Sequence, residues 1–150
     1  MKLHVSMKVE NFDDAVKFYS GLFGLEPLVM RENYAKWDVE NPSVNFVVEA
    51  GGCCGDAPGL SHLGIQADSA DELDLVANRM RSMDRPFLDV EATTCCYAKS
   101  DKAWIKGEAD DSWEAFLTHS HDEAEYGQDR SHLLDTVAAK PGEARASNCY

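Results

Sequence analysis

Long apolar runs are missing from this sequence: none approaches the roughly 20 residues a membrane-spanning helix needs, and Met1–Lys8 has no apolar h-region of a secretory leader. A cytosolic, soluble protein is the expectation. Positive charge is also scarce. Lys and Arg number 14 against 27 Asp and Glu, giving a net charge of -13 and a pI near 4.6. Such a surface repels a phosphate backbone or an anionic bilayer, so neither nucleic acid nor membrane is expected as a partner. A disulfide framework is missing too. The five cysteines are an odd number, and four of them form the adjacent pairs Cys53-Cys54 and Cys95-Cys96, which is not the spacing of a stapled secreted domain. A chain of 150 residues does not need staples, because a domain of that size can bury roughly 70% of the surface its unfolded chain exposes.

What the sequence does contain is a pattern that occurs twice. His4–Val9 alternates as a strand does, Asn11 is a helix cap, and Asp13 and Asp14 suit a first turn. Phe12, Ala15, Val16, Tyr19, Leu22 and Phe23 keep the three-and-four spacing of one buried stripe, and Gly24 supplies a left-handed stop. Strands are expected over Leu28–Met30, Tyr34–Val39 and Val44–Glu49. Residues 51–59, rich in glycine with Pro58, defeat both periodicities and read as a linker. The pattern then restarts. His62–Ala67 is strand-like, Ser69–Glu72 fits a capping box, and Leu73, Val76, Ala77 and Met80 continue at helical spacing toward Pro86. Strand-like pieces follow at Phe87–Val90, Thr94–Tyr97, Ala103–Lys106 and Ser112–Thr118. The fold class is therefore α+β: two tandem β-α-β-β-β modules, about 1–50 and 61–118, in one domain over 1–118. Residues 119–150 lose the apolar periodicity and read as a polar tail, in which Leu133, Leu134 and Val137 fit a short helix over Asp129–Ala139.

Laying the second module on the first pairs His62 with His4 and Glu114 with Asn45. Two half-sheets related by a pseudo-twofold would turn these four positions toward one cleft. Two imidazoles and one carboxylate with open positions beside them suit mononuclear non-haem Fe(II), and Asn45, a poor ligand, leaves its corner to water. Either histidine alone is more often an ordinary hydrogen-bonded core residue. The repeat weakens that alternative by bringing both to one place with an inward Glu114, a residue type rarely buried unless paired or coordinating. His119, His121 and His132 lie in or beside the tail and read as solvated. Thr93-Thr94-Cys95-Cys96-Tyr97 falls near the cleft mouth. Neighbouring residues on a regular strand point to opposite faces, so two thiols meet one ligand only on a turn or bulge. Thiolates there favour a soft, thiophilic centre, the alternatives being two small buried hydrophobes or a vicinal disulfide. Cys53 and Cys54 either shuttle such a ligand or do nothing, and Cys149 reads as incidental.

The two-module layout, the opening His4, the block Pro58–Gln66, the block Thr93–Lys102 with its Thr-Thr-Cys-Cys-Tyr core, and Trp113–Phe116 resemble the ArsI/CadI branch of the vicinal oxygen chelate (glyoxalase/bleomycin resistance/extradiol dioxygenase) superfamily, over about residues 3–118. The resemblance implies an Fe(II)-dependent, dioxygen-using carbon-arsenic lyase that demethylates or dearylates trivalent organoarsenicals to arsenite. It places His4, His62 and Glu114 on the iron ligands of the catalytic centre and Cys95 and Cys96 on the thiols that bind substrate arsenic. Gly107–Asp111 departs from the Asp-Pro-x-Gly type of turn that precedes the carboxylate in that branch. A lid over Tyr97–Trp104, with Lys99 or Lys102 as polar contacts to substrate, accompanies this expectation. The rivals are a cadmium-induced protein that sequesters soft metal, a glyoxalase-type isomerase, for which Asn45 leaves the usual four protein ligands one short, and a metal-free drug-binding module. The repeat is compatible with one self-contained cleft and with a homodimer that swaps modules.

Overall fold

The structure, a computed structural model, describes residues 1–51, 57–95, 98–120 and 134. The first module is β1 (Lys2–Val9), α1 (Phe12–Phe23), β2 (Val29–Arg31), β3 (Tyr34–Val39) and β4 (Val44–Ala50); the second is β5 (Gly59–Gln66), α2 (Ala70–Arg81), β6 (Phe87–Cys95), β7 (Ala98–Lys106) and β8 (Ser112–Ser120). The expected β-α-β-β-β unit is present twice. No helix among the described residues is long and apolar enough to cross a membrane.

Each helix starts where its cap dictates. The Asn11 side chain accepts from Asp14 N at 3.1 Å, and Gly24 closes α1 at φ 65°, a conformation glycine adopts without a Cβ penalty. At α2 the Ser69 hydroxyl accepts from Glu72 N, while the Glu72 carboxylate accepts from Asp68 N, one residue before the cap. The α1 stripe of Phe12, Ala15, Val16, Tyr19 and Phe23 covers Ala35, Trp37, Val39, Phe46 and Val48. Leu22, expected in that stripe, is instead exposed, as is Phe18, because the partly buried row that packs on the sheet is 12-15-16-19-23. Val76, Ala77 and Met80 of α2 cover Ala103, Ile105 and Ala115 in the same way.

The eight strands form one sheet in the order β2-β3-β4-β1-β5-β8-β7-β6. Its symmetry is visible in the pairing: β1 runs parallel to β4 and β5 parallel to β8, while β1 and β5 meet antiparallel at the centre. Side chains alternate between faces, so Val5, Met7, Phe46 and Val48 turn to α1, whereas His4, Ser6 and Asn45, polar and buried, share the opposite face. The polar cleft lies on the face of the sheet opposite α1 and α2.

The second module differs from expectation in its hairpin. Thr94 and Cys95, expected to open a separate strand, belong to β6, while Cys96 and Tyr97 lie outside the described residues. β6 continues from Phe87 to Cys95 through a register shift between Val90 and Thr93, and β7 begins at Ala98, which pairs with Cys95. The bulge breaks the side-chain alternation without ending the ladder, which is why the apolar pattern looked interrupted. A lid over 97–104 is also corrected for the described part: from Ser100 to Trp104 the chain is a strand paired to β6 on one side and β8 on the other, and Tyr97 lies outside the described residues. The turn before Glu114 is built by Asp111. Its backbone carbonyl accepts from Gly107 N at 2.8 Å, and its carboxylate accepts from Ala109 N at 3.1 Å and from the Trp113 indole. Asp110 takes the left-handed conformation, φ 62°. β8 runs two residues past Thr118, to Ser120. Leu134 is fully buried against Trp104, with Leu88 packed on the pair; the rest of the expected short helix lies outside the described residues.

Candidate metal centre

His4, His62 and Glu114 come from β1, β5 and β8, three adjacent strands of the sheet. Register brings them together: Gly64 pairs with His4 on one side and with Glu114 on the other. A Cβ at position 64 would stand 2.6 Å from Glu114 Cγ and 3.4 Å from His4 Cβ, so only glycine permits the two side chains to close over that strand. His4, His62 and Glu114 are 5%, 6% and 1% exposed.

The donor atoms form a nearly equilateral triangle. His4 Nε2 lies 3.2 Å from His62 Nε2, and Glu114 Oε1 lies 3.3 Å from the first and 3.4 Å from the second. Two ligands about 2.1 Å from one cation and about 90–110° apart stand about 3.0–3.4 Å from each other. The triangle fits a first-row divalent ion. Its outer partners are also those of a metal centre. His4 Nδ1 donates to the Asn45 carbonyl at 3.1 Å, which leaves the lone pair on Nε2. The His62 Nδ1 is 3.2 Å from the Ser61 hydroxyl. Lys102 Nζ donates to Glu114 Oε2 at 2.8 Å. Among the described residues these three are the one group of His, Cys, Asp and Glu donors able to hold a metal ion.

Electrostatics keep the group ready for a cation. Burial, with the Lys102 and His62 charges adding to it and Glu114 opposing it, pulls the His4 imidazole down to about 4. Burial pushes the Glu114 carboxyl up, but the charges of Lys102 and the histidines overcome it and hold the group well below the usual carboxylate range. Near pH 7 the imidazole of His4 is neutral and the carboxylate ionised, the protonation states metal ligation requires.

Asn45 occupies the fourth, symmetry-related corner and is 2% exposed. Its Nδ2 donates to Gln66 Oε1 at 2.8 Å, while its Oδ1 is buried with no hydrogen-bond partner among the described residues. The cleft around the centre is lined by Tyr34, Lys36 and Val47 from the first module and Ser100, Phe116 and Thr118 from the second. Phe116 meets the His4 ring edge-on at 5.2 Å and Trp104 meets the His62 ring at 5.2 Å.

The thiols are described only by the Cys95 backbone, which ends β6. Cys95 pairs with Ala98 whereas Glu114 pairs with Trp104, so the hairpin end stands six residues up β7, roughly 20 Å on a straight strand. Cys96, Cys53, Cys54 and Cys149 lie outside the described residues, as do His121 and His132. His119 is exposed and bonds Asp101 Oδ2 at 2.9 Å, away from the triangle. Gly64 is not among the site residues the sequence singles out, and Lys102, expected as a contact to substrate, instead bonds Glu114. The glycine inside an alternating strand was the available signal for the first; nothing short of the β7–β8 register reveals the second.

The model of the Glyoxalase/Bleomycin resistance protein/Dioxygenase superfamily matches residues 3–111. The chain is 34% identical to a trivalent organoarsenical cleaving enzyme of Bacillus sp. (strain MD1), over 97% of this chain and 88% of the relative. It is 29% identical to a protein of the same name from Thermomonospora curvata, covering 77% and 76% of the two, and 27% identical to the cadmium-induced protein CadI of Mycobacterium bovis, covering 77% and 74%. Among solved structures, methylmalonyl-CoA epimerase from Mycobacterium tuberculosis superposes with a TM-score of 0.57 at 18% identity, over 78% of this chain and 87% of the other. An extradiol ring-cleaving dioxygenase from B. fuscum superposes with a TM-score of 0.58 at 13% identity, over 89% and 35%. These two share the fold.

Proposed function

On the premise that the chain belongs to the Glyoxalase/Bleomycin resistance protein/Dioxygenase superfamily, we propose that it is an Fe(II)-dependent, dioxygen-using carbon-arsenic lyase that releases arsenite from trivalent organoarsenicals. The observation that carries this reading is the triangle of His4 Nε2, His62 Nε2 and Glu114 Oε1, with sides of 3.2–3.4 Å. The substrate class comes from the relatives that are 34% and 29% identical, both of them trivalent organoarsenical cleaving enzymes by name.

In this reading His4, His62 and Glu114 hold the iron, which supplies dioxygen activation at the positions the three donors leave open. Each residue has a part that its surroundings set. The Asn45 carbonyl fixes the His4 tautomer. Phe116 and Trp104 wall off the two imidazoles from water, which strengthens electrostatic interactions inside the cleft. Cys95 and Cys96 would capture the substrate arsenic as thiolates. Holding the carbon-arsenic bond beside the reacting centre in this way supplies up to about 7–11 kcal/mol of the barrier. The reducing cytosol is the compartment in which such thiols stay free.

The second reading, sequestration of a soft metal, draws on the likeness to a cadmium-induced protein. Turnover separates the two. Iron-reconstituted protein given a trivalent methyl or phenyl arsenical in air should release inorganic arsenite; stoichiometric binding with no arsenite would assign the chain to sequestration.

A further inference from the structure

We propose that Lys102 is a positioning residue that confines Glu114 to ligation through one oxygen and so keeps an extra coordination position open for exogenous ligands. The inference rests on the metal reading above and extends it to the coordination number.

A carboxylate can offer both oxygens to one cation. Here the two are divided. Oε1 faces the histidines at 3.3 and 3.4 Å, and Oε2 accepts from the Lys102 ammonium at 2.8 Å, a charge-assisted bond in a site almost closed to water. The division follows from register. Lys102 pairs with Phe116 on β8, and Glu114 with Trp104 on β7, so lysine and glutamate are diagonal neighbours on one face, within reach of a long side chain. Rotation of the ammonium away from Oε2 is opposed on two sides. Its side chain is 9% exposed, and Nζ lies 5.3 Å from the Phe116 ring centroid and 5.6 Å from that of Trp104. These are the rings that meet His4 and His62 edge-on. One cluster therefore sets both imidazoles and the carboxylate.

The repeat places the same residue type at the equivalent corner of the first module. Lys36 pairs with Val47, as Lys102 pairs with Phe116, and its neighbouring metal-site position is Asn45 in place of a carboxylate. The chain thus presents three protein donors: two nitrogens and one oxygen. A six-coordinate ion keeps three positions for outside ligands, and a freed Oε2 would take one of them.

The test uses Mn(II)- and Co(II)-loaded full-length protein, comparing wild type with Lys102→Met, Lys102→Gln and Lys102→Arg. Water-proton relaxation by bound Mn(II) counts exchangeable waters. Lys102→Met and Lys102→Gln should bind metal yet lose about one water in three, with a shifted Co(II) visible spectrum, and Lys102→Arg should restore both. Arsenite release by the iron-loaded Met variant should fall about 10–100-fold. Unchanged hydration and spectrum in both Lys102→Met and Lys102→Gln would overturn the proposal. Should those variants fail to hold metal, the wild type decides: the infrared splitting between the carboxylate stretches of Glu114, assigned by metal-loaded minus metal-free difference, should be wide, as for one-oxygen ligation, and a narrow, chelate-type splitting would overturn it. Failure of the wild type to bind any metal would instead remove the metal reading itself.

Discussion

His4 Nε2 and His62 Nε2 stand 3.2 Å apart although 58 residues separate them in the chain. Two imidazole nitrogens turned toward each other and toward Glu114 Oε1 form a concentration of donor atoms suited to a cation. The antiparallel β1–β5 junction creates this meeting by placing the opening strands of both modules side by side.

Metal should therefore bind the folded chain and not the unfolded one. Thermal unfolding with Fe(II) or Co(II) at 100 times its dissociation constant should gain about 2.7 kcal/mol over protein treated with chelator. Glu114→Gln should remove that gain and lose metal from the isolated protein. It should also lower the unfolding free energy of the metal-free protein, read from urea titration, by up to about 3–5 kcal/mol, because Lys102 is left buried without its carboxylate.

The metal-free protein should lose stability on acidification in a defined window. The His4 imidazole is pulled below its ordinary 6.5 to about 4, so the unfolded chain takes up the proton first. Stability is fully present above pH 6.5 and falls as pH drops toward 4, by on the order of 3 kcal/mol at most. Glu114, held below the usual range, adds loss below about pH 4.5. Urea titrations from pH 7.5 to 4 check the sign, and His4→Gln should flatten the upper part of the slope.

Gly64→Ala should damage the centre through packing alone. The added Cβ would meet Glu114 Cγ at 2.6 Å and the Glu114 carbonyl oxygen at 2.9 Å, and the second contact is backbone that cannot rotate away. A cost of about 1–3 kcal/mol with reduced metal content is expected, from calorimetry and metal analysis of the same preparation.

The architecture was legible because local rules agreed with one another. The Asn11 and Ser69 caps, Gly24 and the two apolar stripes mark α1 and α2 without tertiary information, and matching the modules aligns His4 with His62 and Glu114 with Asn45. What stayed hidden depends on register between strands. Lys102 meets Glu114 only because β7 pairs with β8 one way, the Val90–Thr93 bulge hides the continuity of β6, and Leu134, legible as part of an apolar stripe in the tail, finds Trp104 as a partner that no periodicity names.

Cys95→Ser and Cys96→Ser should weaken binding of a trivalent arsenical about tenfold or more while leaving iron stoichiometry intact, since thiolates favour soft centres and the triangle is built without them. Arsenical titration and metal analysis on each variant check this; parallel loss of iron would make the thiols part of the metal shell.

The central claim is that two imidazoles and one carboxylate hold the ion. X-ray absorption at the iron edge of Fe(II)-loaded protein tests it most directly. The expected shell is nitrogen and oxygen only, with scattering from two imidazole rings, falling to one ring in His62→Ala. Sulfur in the shell, or no imidazole scattering, would contradict it.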